Sequence, residues 1–289
     1  MKIADYPALY RAADEASNKA QANLLLCHKI STIFLVVAVL MSLEGAANQG
    51  MAIVSAICFI GSLLAFIYGK QQRFQERWYQ ARALSESIKT ASWRLIMAAE
   101  PFMQGHEEVN LRKFQKLLFE LLTENKGIGA DLSSELAQES EITTRMIDIL
   151  HMPFEEKKKI YLEKRIDDQR DWYAEKSGVN RKCSLKFFWF TVAAYGAAII
   201  FLIVRIMSPE ISFIPVDVFA IIASGLIGWM EIKRFNELTS AYSLTAHEVG
   251  IIKSCYKSVT DAEHLSKFVS DAENAFSREH TQWAARRDH

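Results

Sequence analysis

The sequence has little from which to build a catalytic or metal centre. Its four cysteines, Cys27, Cys58, Cys183 and Cys255, lie far apart, and none forms a CxxC or a Cys/His pair at metal-ligand spacing. Cys58 falls inside an apolar run, where a thiol acts as a small hydrophobe. Seven histidines, at 28, 106, 151, 247, 264, 280 and 289, are scattered through different helical contexts. No GxSxG or HExxH pattern occurs, and the glycines of NKGIGADLSS do not make the GxxxxGK(S/T) of a phosphate-binding loop. No catalytic residue, metal ligand or cofactor is therefore expected, and the chain reads as a non-enzyme. The opening MKIADYPALYRAADEAS has no apolar h-region, so no secretory signal is expected.

Net charge is also missing. Lys and Arg together number 34, as do Asp and Glu, so charge balance alone names no partner. The charge is nevertheless segregated. Residues 70–98 carry six basic and two acidic side chains, and 176–186 carry four basic and none acidic. Between them, 100–175 carries 17 acidic and 11 basic.

What is abundant is oil, in uninterrupted blocks. Residues 51–69 give 19 positions without a charge, 187–204 give 18, 30–43 give 14 and 218–230 give 13. A membrane span needs about 20 mostly apolar residues, with a range of roughly 17–25. The second and third blocks in chain order meet this outright. The first lengthens backward through ANLLLCHK, with Lys29 snorkelling to an interface. The last extends back to residue 211 if Pro215 and Asp217 lie near its start. Buried helices of a soluble bundle normally keep a polar face, and 187–204 has none of any width. The reading is an all-α membrane protein with spans at about 26–46, 51–69, 186–206 and 211–230.

The links EGAANQG and RIMSPEISFIP are short, so the spans pair as two antiparallel hairpins. Of the lysines and arginines, the tips hold only Arg205. The opposite ends hold Lys29, Lys70, Arg73, Arg77, Arg181, Lys182, Lys186, Lys233 and Arg234. The positive-inside rule places the tips outside and both termini in the cytoplasm. A cytoplasmic helix, a hairpin and a second cytoplasmic helix occur twice, giving an internal pseudo-repeat: a first unit over 1–101, an acidic helical linker over 102–158 and a second unit over 159–289.

The cytoplasmic segments read as long helices. From Gly69 to Pro101 nothing breaks the pattern, so one helix is expected to continue out of the membrane. Another precedes the third span, at 155–178. Within the linker, apolar residues at 111, 114, 117, 118, 121 and 122 mark an amphipathic helix. ADLSSELAQESEITTRMIDILHMPFEE suggests a further one ending before Pro153. After residue 231 the chain is helical again, with Asp261 and Thr260 placed to cap the last helix.

Arg and Trp interleave on these helices. Stacked aromatics with forked guanidiniums suit a nucleobase and its phosphate. The ligand-binding candidates are Arg77, Trp78, Arg82, Lys89 and Arg94, with Arg165, Trp172, Lys176, Arg181 and Lys182. Taken singly, each has a plainer reading: packing on a neighbouring helix, or pairing with a carboxylate. Glu86 and Glu248 occupy similar places in the two halves and read as buried partners of an arginine. Four spans are too few to enclose an aqueous path, so a channel would be a homo-oligomer. Thr32, Ser42 and Ser55 are the weakly polar groups available to line it. Gly61, Ser62 and Ala65 suit helix contacts in the second span.

Residues 160–285, with YLEKRIDDQRDWY before the hairpin, resemble a SLATT domain of the DUF4231-like kind. Matching positions are Tyr161, Arg165, Gln169, Trp172 and Tyr173. Residues 6–102, with YRAADEASNKAQ and RWYQARALSESIKTASWRLIMAAEPF, resemble a second SLATT subtype through Asp14, Ser17, Gln21, Trp78, Arg82, Glu86, Ser87, Lys89, Trp93 and Arg94. The resemblance implies a bacterial inner-membrane, two-span effector that forms pores and is tied to nucleotide-signal defence against phage. The implied partners are the lipid bilayer, further copies of the chain, and a nucleotide or nucleic-acid oligomer made by a nucleotidyltransferase, or that enzyme itself. The alternative class is a membrane scaffold or small-solute transporter without nucleotide control. Only Asp217 and Pro215 approach the charged or broken helix that transport requires.

Overall fold

A computed structural model describes residues 1–45, 48–211 and 214–285, the side chains of 44–45 and 278–285 excepted. The middles of both hairpin links, at 46–47 and 212–213, and the last four residues of the expected C-terminal helix lie outside the described residues. The described chain is helical: α1 (Ala8–Gly45), α2 (Gln49–Gln71), α3 (Phe74–Ile96), α4 (Glu107–Glu124), α5 (Thr144–Leu150), α6 (Phe154–Tyr161), α7 (Asp168–Met207), α8 (Val216–Lys233), α9 (Phe235–Ser254) and α10 (Ala262–Ala285). The protein is an all-α membrane protein. Among the described residues three helical stretches, Ala8–Leu43, Gln49–Ile96 and Phe154–Met207, are long and apolar enough to cross a bilayer.

Two compact units emerge, and neither follows the halves of the sequence. One combines Met1–Ala20, Gln75–Ser177 and the described part of Ser240–His289. The other combines Gln21–Phe74 with Gly178–Thr239. Helices α1 and α7 each contribute residues to both.

The second unit holds the apolar blocks. Its large side chains face outward: Ile57, Ile60, Leu63, Leu64 and Phe66 on α2, and Trp189, Ile199, Ile200 and Ile206 on α7, are all exposed. In water such a surface would be an aggregation site; in lipid it is the lowest-energy arrangement. The interior seams use small and hydroxyl residues instead. The Ser31 and Ser62 hydroxyls lie 2.9 Å apart, and each is also within hydrogen-bond reach of the other's backbone carbonyl. Ser55 is buried and donates to the Ala38 carbonyl at 2.7 Å. A Cβ on Gly61 would meet the Phe34 ring at 3.3 Å. These are the close approaches that helix pairs use in lipid, where the hydrophobic effect no longer drives association.

Three expectations change. The fourth apolar block starts its helix at Val216, just after Pro215, rather than at 211. Its 18 residues include Asp217, Glu231 and Lys233, and span about 27 Å at 1.5 Å per residue, marginal for a bilayer core of about 30 Å. The segment after Gly69 is not one helix. α2 stops at Gln71, Arg73 takes a left-handed conformation at φ 49°, and α3 restarts at Phe74. The second half does the same: Arg234, also at φ 49°, separates α8 from α9, which restarts at Phe235. A non-glycine residue in this region costs roughly 1 kcal/mol. Burial of both following phenylalanines helps offset it, as do the amide bonds from Arg73 to Lys70 (3.2 Å) and from Arg234 to Met230 (2.8 Å), which satisfy terminal carbonyls. The third change falls in the linker, where the second expected helix shrinks to α5. Ser140 bonds the backbone on both sides of Ile142, and the Thr143 hydroxyl caps the Met146 amide, so short polar side chains compete with the helix upstream of 144.

Two local expectations hold. In α4, Phe114 and Leu118 are buried. Asp261 caps α10 through the His264 amide at 2.9 Å, and this bond holds the carboxyl below its usual range.

Candidate functional site

The first unit buries charge. At its centre Arg165 and Glu273, 108 residues apart, form a two-pronged ion pair: Nε to Oε1 at 2.8 Å and Nη2 to Oε2 at 2.6 Å. Both side chains are inaccessible to solvent, at 1% and 0% exposure. Two further donors complete the carboxylate. The Tyr161 hydroxyl reaches Oε1 and the Thr90 hydroxyl reaches Oε2, each at 3.0 Å. The guanidinium lies 4.5 Å from the centre of the Phe276 ring, a cation–π contact. Desolvating two such charges costs several kcal/mol each. Attraction repays that only when the geometry is good and the spare lone pairs are bonded. Here four hydrogen bonds fill the carboxylate, while Arg165 Nη1 is buried without a hydrogen-bond partner among the described residues.

Local structure aims these groups. Residues Leu162–Asp167 form a π-helical stretch between α6 and α7. The wider turn re-registers the side chains around it, and Arg165, in the middle of a strongly charged segment, points into the core. Glu273 falls on the same face of α10 as Phe268, Val269, Ala272 and Phe276, all buried. One carboxylate thus interrupts an otherwise apolar stripe.

A second charged group adjoins the first. Glu86, itself buried, accepts from Arg82 at 2.8 Å and lies 3.7 Å from Lys89. Asp14 lies 3.7 Å from Arg82. The Glu86 carboxylate pushes the Arg82 guanidinium further above its usual range, whereas burial lowers the Lys89 ammonium. Arg165 and Glu273 also act on Lys89 electrostatically, so the two groups form one network. Aromatic rings wall it. Trp93 donates its indole N–H to the Tyr6 hydroxyl at 2.8 Å and packs edge-on against Tyr161. Trp172, Tyr173 and Tyr242 meet with centroids 5.1–5.6 Å apart. Burial raises Tyr6 to about 12 and raises Tyr161 strongly.

The candidate ligand residues therefore have varied fates. Arg82, Lys89 and Arg165 are gathered into this network, with Trp172 in its wall and Lys176 5.9 Å from the Trp172 ring centre. Arg77 is paired with Asp131 at 3.2 Å, and Arg94 donates to Asn274 at 2.8 Å. Trp78 stacks on Tyr79. Arg181 and Lys182 are exposed and belong to the other unit. Of the candidate pore residues, Thr32 is half-buried, and Ser42 is exposed with its hydroxyl turned back to the Val39 carbonyl. Ser55 is spent in the α1–α2 seam. The sequence reading missed Glu273, Thr90 and Tyr6. Glu273 left one signal, a carboxylate on the apolar face of an amphipathic helix. Among the described residues no cluster of His, Cys, Asp and Glu is arranged to hold a metal.

One unit of uncovered apolar helices and one unit with a buried ionic core define a membrane protein whose polar part is folded around charge. Two family models match the chain in tandem: SMODS and SLOG-associating 2TM effector domain 3 over residues 7–158, and domain 1 over residues 161–283. The chain belongs to this SLATT family of two-transmembrane effector domains. No curated protein and no solved structure matches it.

Proposed function

We propose that this chain is a pore- or channel-forming effector of the bacterial inner membrane, active in defence against phage. Copies of the chain assemble around a central path. A nucleotide or oligonucleotide signal, the product of a partner nucleotidyltransferase, binds on the cytoplasmic side and controls opening, with membrane depolarisation and growth arrest as the outcome. Both hairpin tips face outward and both termini lie in the cytoplasm. The sequence is taken as two effector units, 1–101 and 159–289, joined by 102–158.

The observation that carries this reading is the tandem match to two-transmembrane effector domains on a chain whose apolar helices are uncovered. The repeated left-handed arginine adds to it. Strained non-glycine residues cluster at elements that switch, and here one stands at the end of the returning helix in each half. The ten candidate ligand residues remain the proposed contact set. In the described conformation Arg82, Lys89 and Arg165 hold carboxylates of the chain itself, so ligand binding would have to exchange those partners. Exposed Arg181 and Lys182 are free of that requirement.

The test is ion flux from proteoliposomes holding the purified full chain, with and without candidate cyclic nucleotides and short oligonucleotides. Flux that appears or disappears with one ligand class, and an affinity that falls as salt rises, supports the proposal. Replacing Arg181 and Lys182 by glutamate should weaken that affinity without preventing assembly. Silent vesicles containing well-formed oligomers, under every ligand, would reject the pore and favour a scaffold or transporter.

A further inference from the structure

Two lysines in the membrane unit converge on one indole. Lys29, on α1, places its Nζ 5.2 Å from the centre of the Trp229 ring. Lys233, one turn beyond Trp229 on α8, places its Nζ 5.6 Å from the same centre. Neither ammonium is within ion-pair distance of a carboxylate among the described residues. The Trp229 indole N–H is buried and has no hydrogen-bond partner there. The indole face holds both cations, but two cations and an unused N–H stand around one ring without an anion, and an anion would complete the set.

The surroundings fix this arrangement. His28 Nε2 lies 3.2 Å from the Gly225 carbonyl, and a Cβ at Gly228 would come within 2.9 Å of the His28 ring. A Cβ at Gly225 would come within 2.5 Å of Thr32. Glycine at both positions thus lets α1 and α8 approach closely enough for Lys29 to reach an indole on the other helix. Phe187, on α7, packs on the same indole at 6.3 Å and stacks on Phe235 at 5.6 Å. The site is part of a packed three-helix junction.

Its place along the chain selects the anion. Lys29 immediately precedes the 30–43 apolar block, and Lys233 follows the 218–230 block by three residues. Both cations therefore stand where oil gives way to charge, with tryptophan between them, as at a membrane–water interface. We propose that Lys29, Lys233 and the Trp229 N–H bind the phosphodiester of an anionic phospholipid headgroup, joining the two hairpins through a lipid. The binding chemistry is that of any phosphate anion. The depth of the site, at the foot of lipid-facing helices, assigns it to lipid.

The experiment uses the full chain in detergent, titrated separately with short-chain phosphatidylglycerol, short-chain phosphatidylcholine and inorganic phosphate. Retained lipid is counted by native mass spectrometry, and phosphate binding is read by calorimetry. Phosphatidylglycerol should bind in preference to phosphatidylcholine, and inorganic phosphate should not compete at equal concentration. The pair Lys29→Gln and Lys233→Gln should weaken phosphatidylglycerol on the order of tenfold. Lys29→Arg with Lys233→Arg should keep it, and Trp229→Phe should lower it. Lys70→Gln with Lys186→Gln removes two cations from the same unit and should cost less than about twofold. Equal binding of the two lipids overturns the proposal. So does an equal loss from both glutamine pairs, which would mean a diffuse basic surface. Competition by inorganic phosphate at equal concentration would mean a soluble-anion site and also overturns it. If the first glutamine pair does not fold, the wild-type lipid preference together with Trp229→Phe decides.

Discussion

The two units of this protein use polar side chains in opposite ways. In the first unit two full charges, Arg165 and Glu273, are buried together, held by four hydrogen bonds to the carboxylate. In the second, the buried polar groups of the first hairpin are hydroxyls, Ser55 and Ser62, which donate to backbone carbonyls across the helix seam. The apolar side chains invert as well, inward in the first unit and outward in the second. The difference follows from the surrounding solvent. Water competes for exposed charge, and burying apolar surface drives the first unit together. Lipid offers no such drive, so the second unit depends on close contact and short hydrogen bonds.

The largest way to break this contrast is Glu273→Gln. It leaves Arg165 as an uncompensated buried charge and should destabilise the first unit by about 3–5 kcal/mol in thermal unfolding. Replacing the pair together, Arg165→Met with Glu273→Leu, removes the lone charge and should recover only part of that loss, because the Tyr161 and Thr90 hydroxyls then lack their acceptor. If the single change were as mild as the double, the ion pair would not be organising this core.

Alkaline titration probes the same core without mutation. Tyr6 is raised from the ordinary tyrosine value near 10 to about 12 because its phenolate would be buried. The folded state therefore keeps a proton that the unfolded chain gives up. The stability is fully present below pH 10 and is lost as pH rises towards 12. That loss should total roughly 2–3 kcal/mol from Tyr6 alone, with Tyr161 adding to it. Denaturant midpoints followed across this window check it. A flat profile would show that the phenol is solvated.

In the second unit the effects should be smaller. Arg73→Gly relieves the left-handed strain, for a gain of up to about 1 kcal/mol. It should also loosen the α2–α3 turn, which hydrogen exchange of the amides around residue 73 would show. Smallest is Ser62→Ala, which removes one of the reciprocal hydroxyls. Hydrogen bonds between membrane helices average about 0.6 kcal/mol, and unfolding in mixed micelles should register a loss of that order. A loss as large as that from Glu273→Gln would erase the distinction between the units.

The residues that read correctly from the chain are those whose meaning is local. Uncharged runs of membrane length, the Asp261 cap and the amphipathic spacing of α4 each need only their neighbours in sequence. Glu86 was readable as an arginine's partner because Arg82 is one helical turn away. The Arg73 and Arg234 turns were not readable. Nothing in KQQRFQ or EIKRFN forbids a continuous helix, and it is the burial of the following phenylalanines, with the amide bonds to the terminal carbonyls, that makes the strained conformation worth holding. Arg165 was marked in the sequence as a ligand candidate and without its partner, because the attraction that commits it comes from α10.

What the sequence by itself determined is the solvent of each part of the molecule. Uninterrupted oil and segregated basic residues are properties of the chain alone, and they require a bilayer with polar helices outside it. What only the tertiary structure decided is which charges meet. Burying an ion pair is favourable only when geometry, hydrogen bonds and exclusion of water coincide, and those conditions come from helices brought together across more than a hundred residues of sequence.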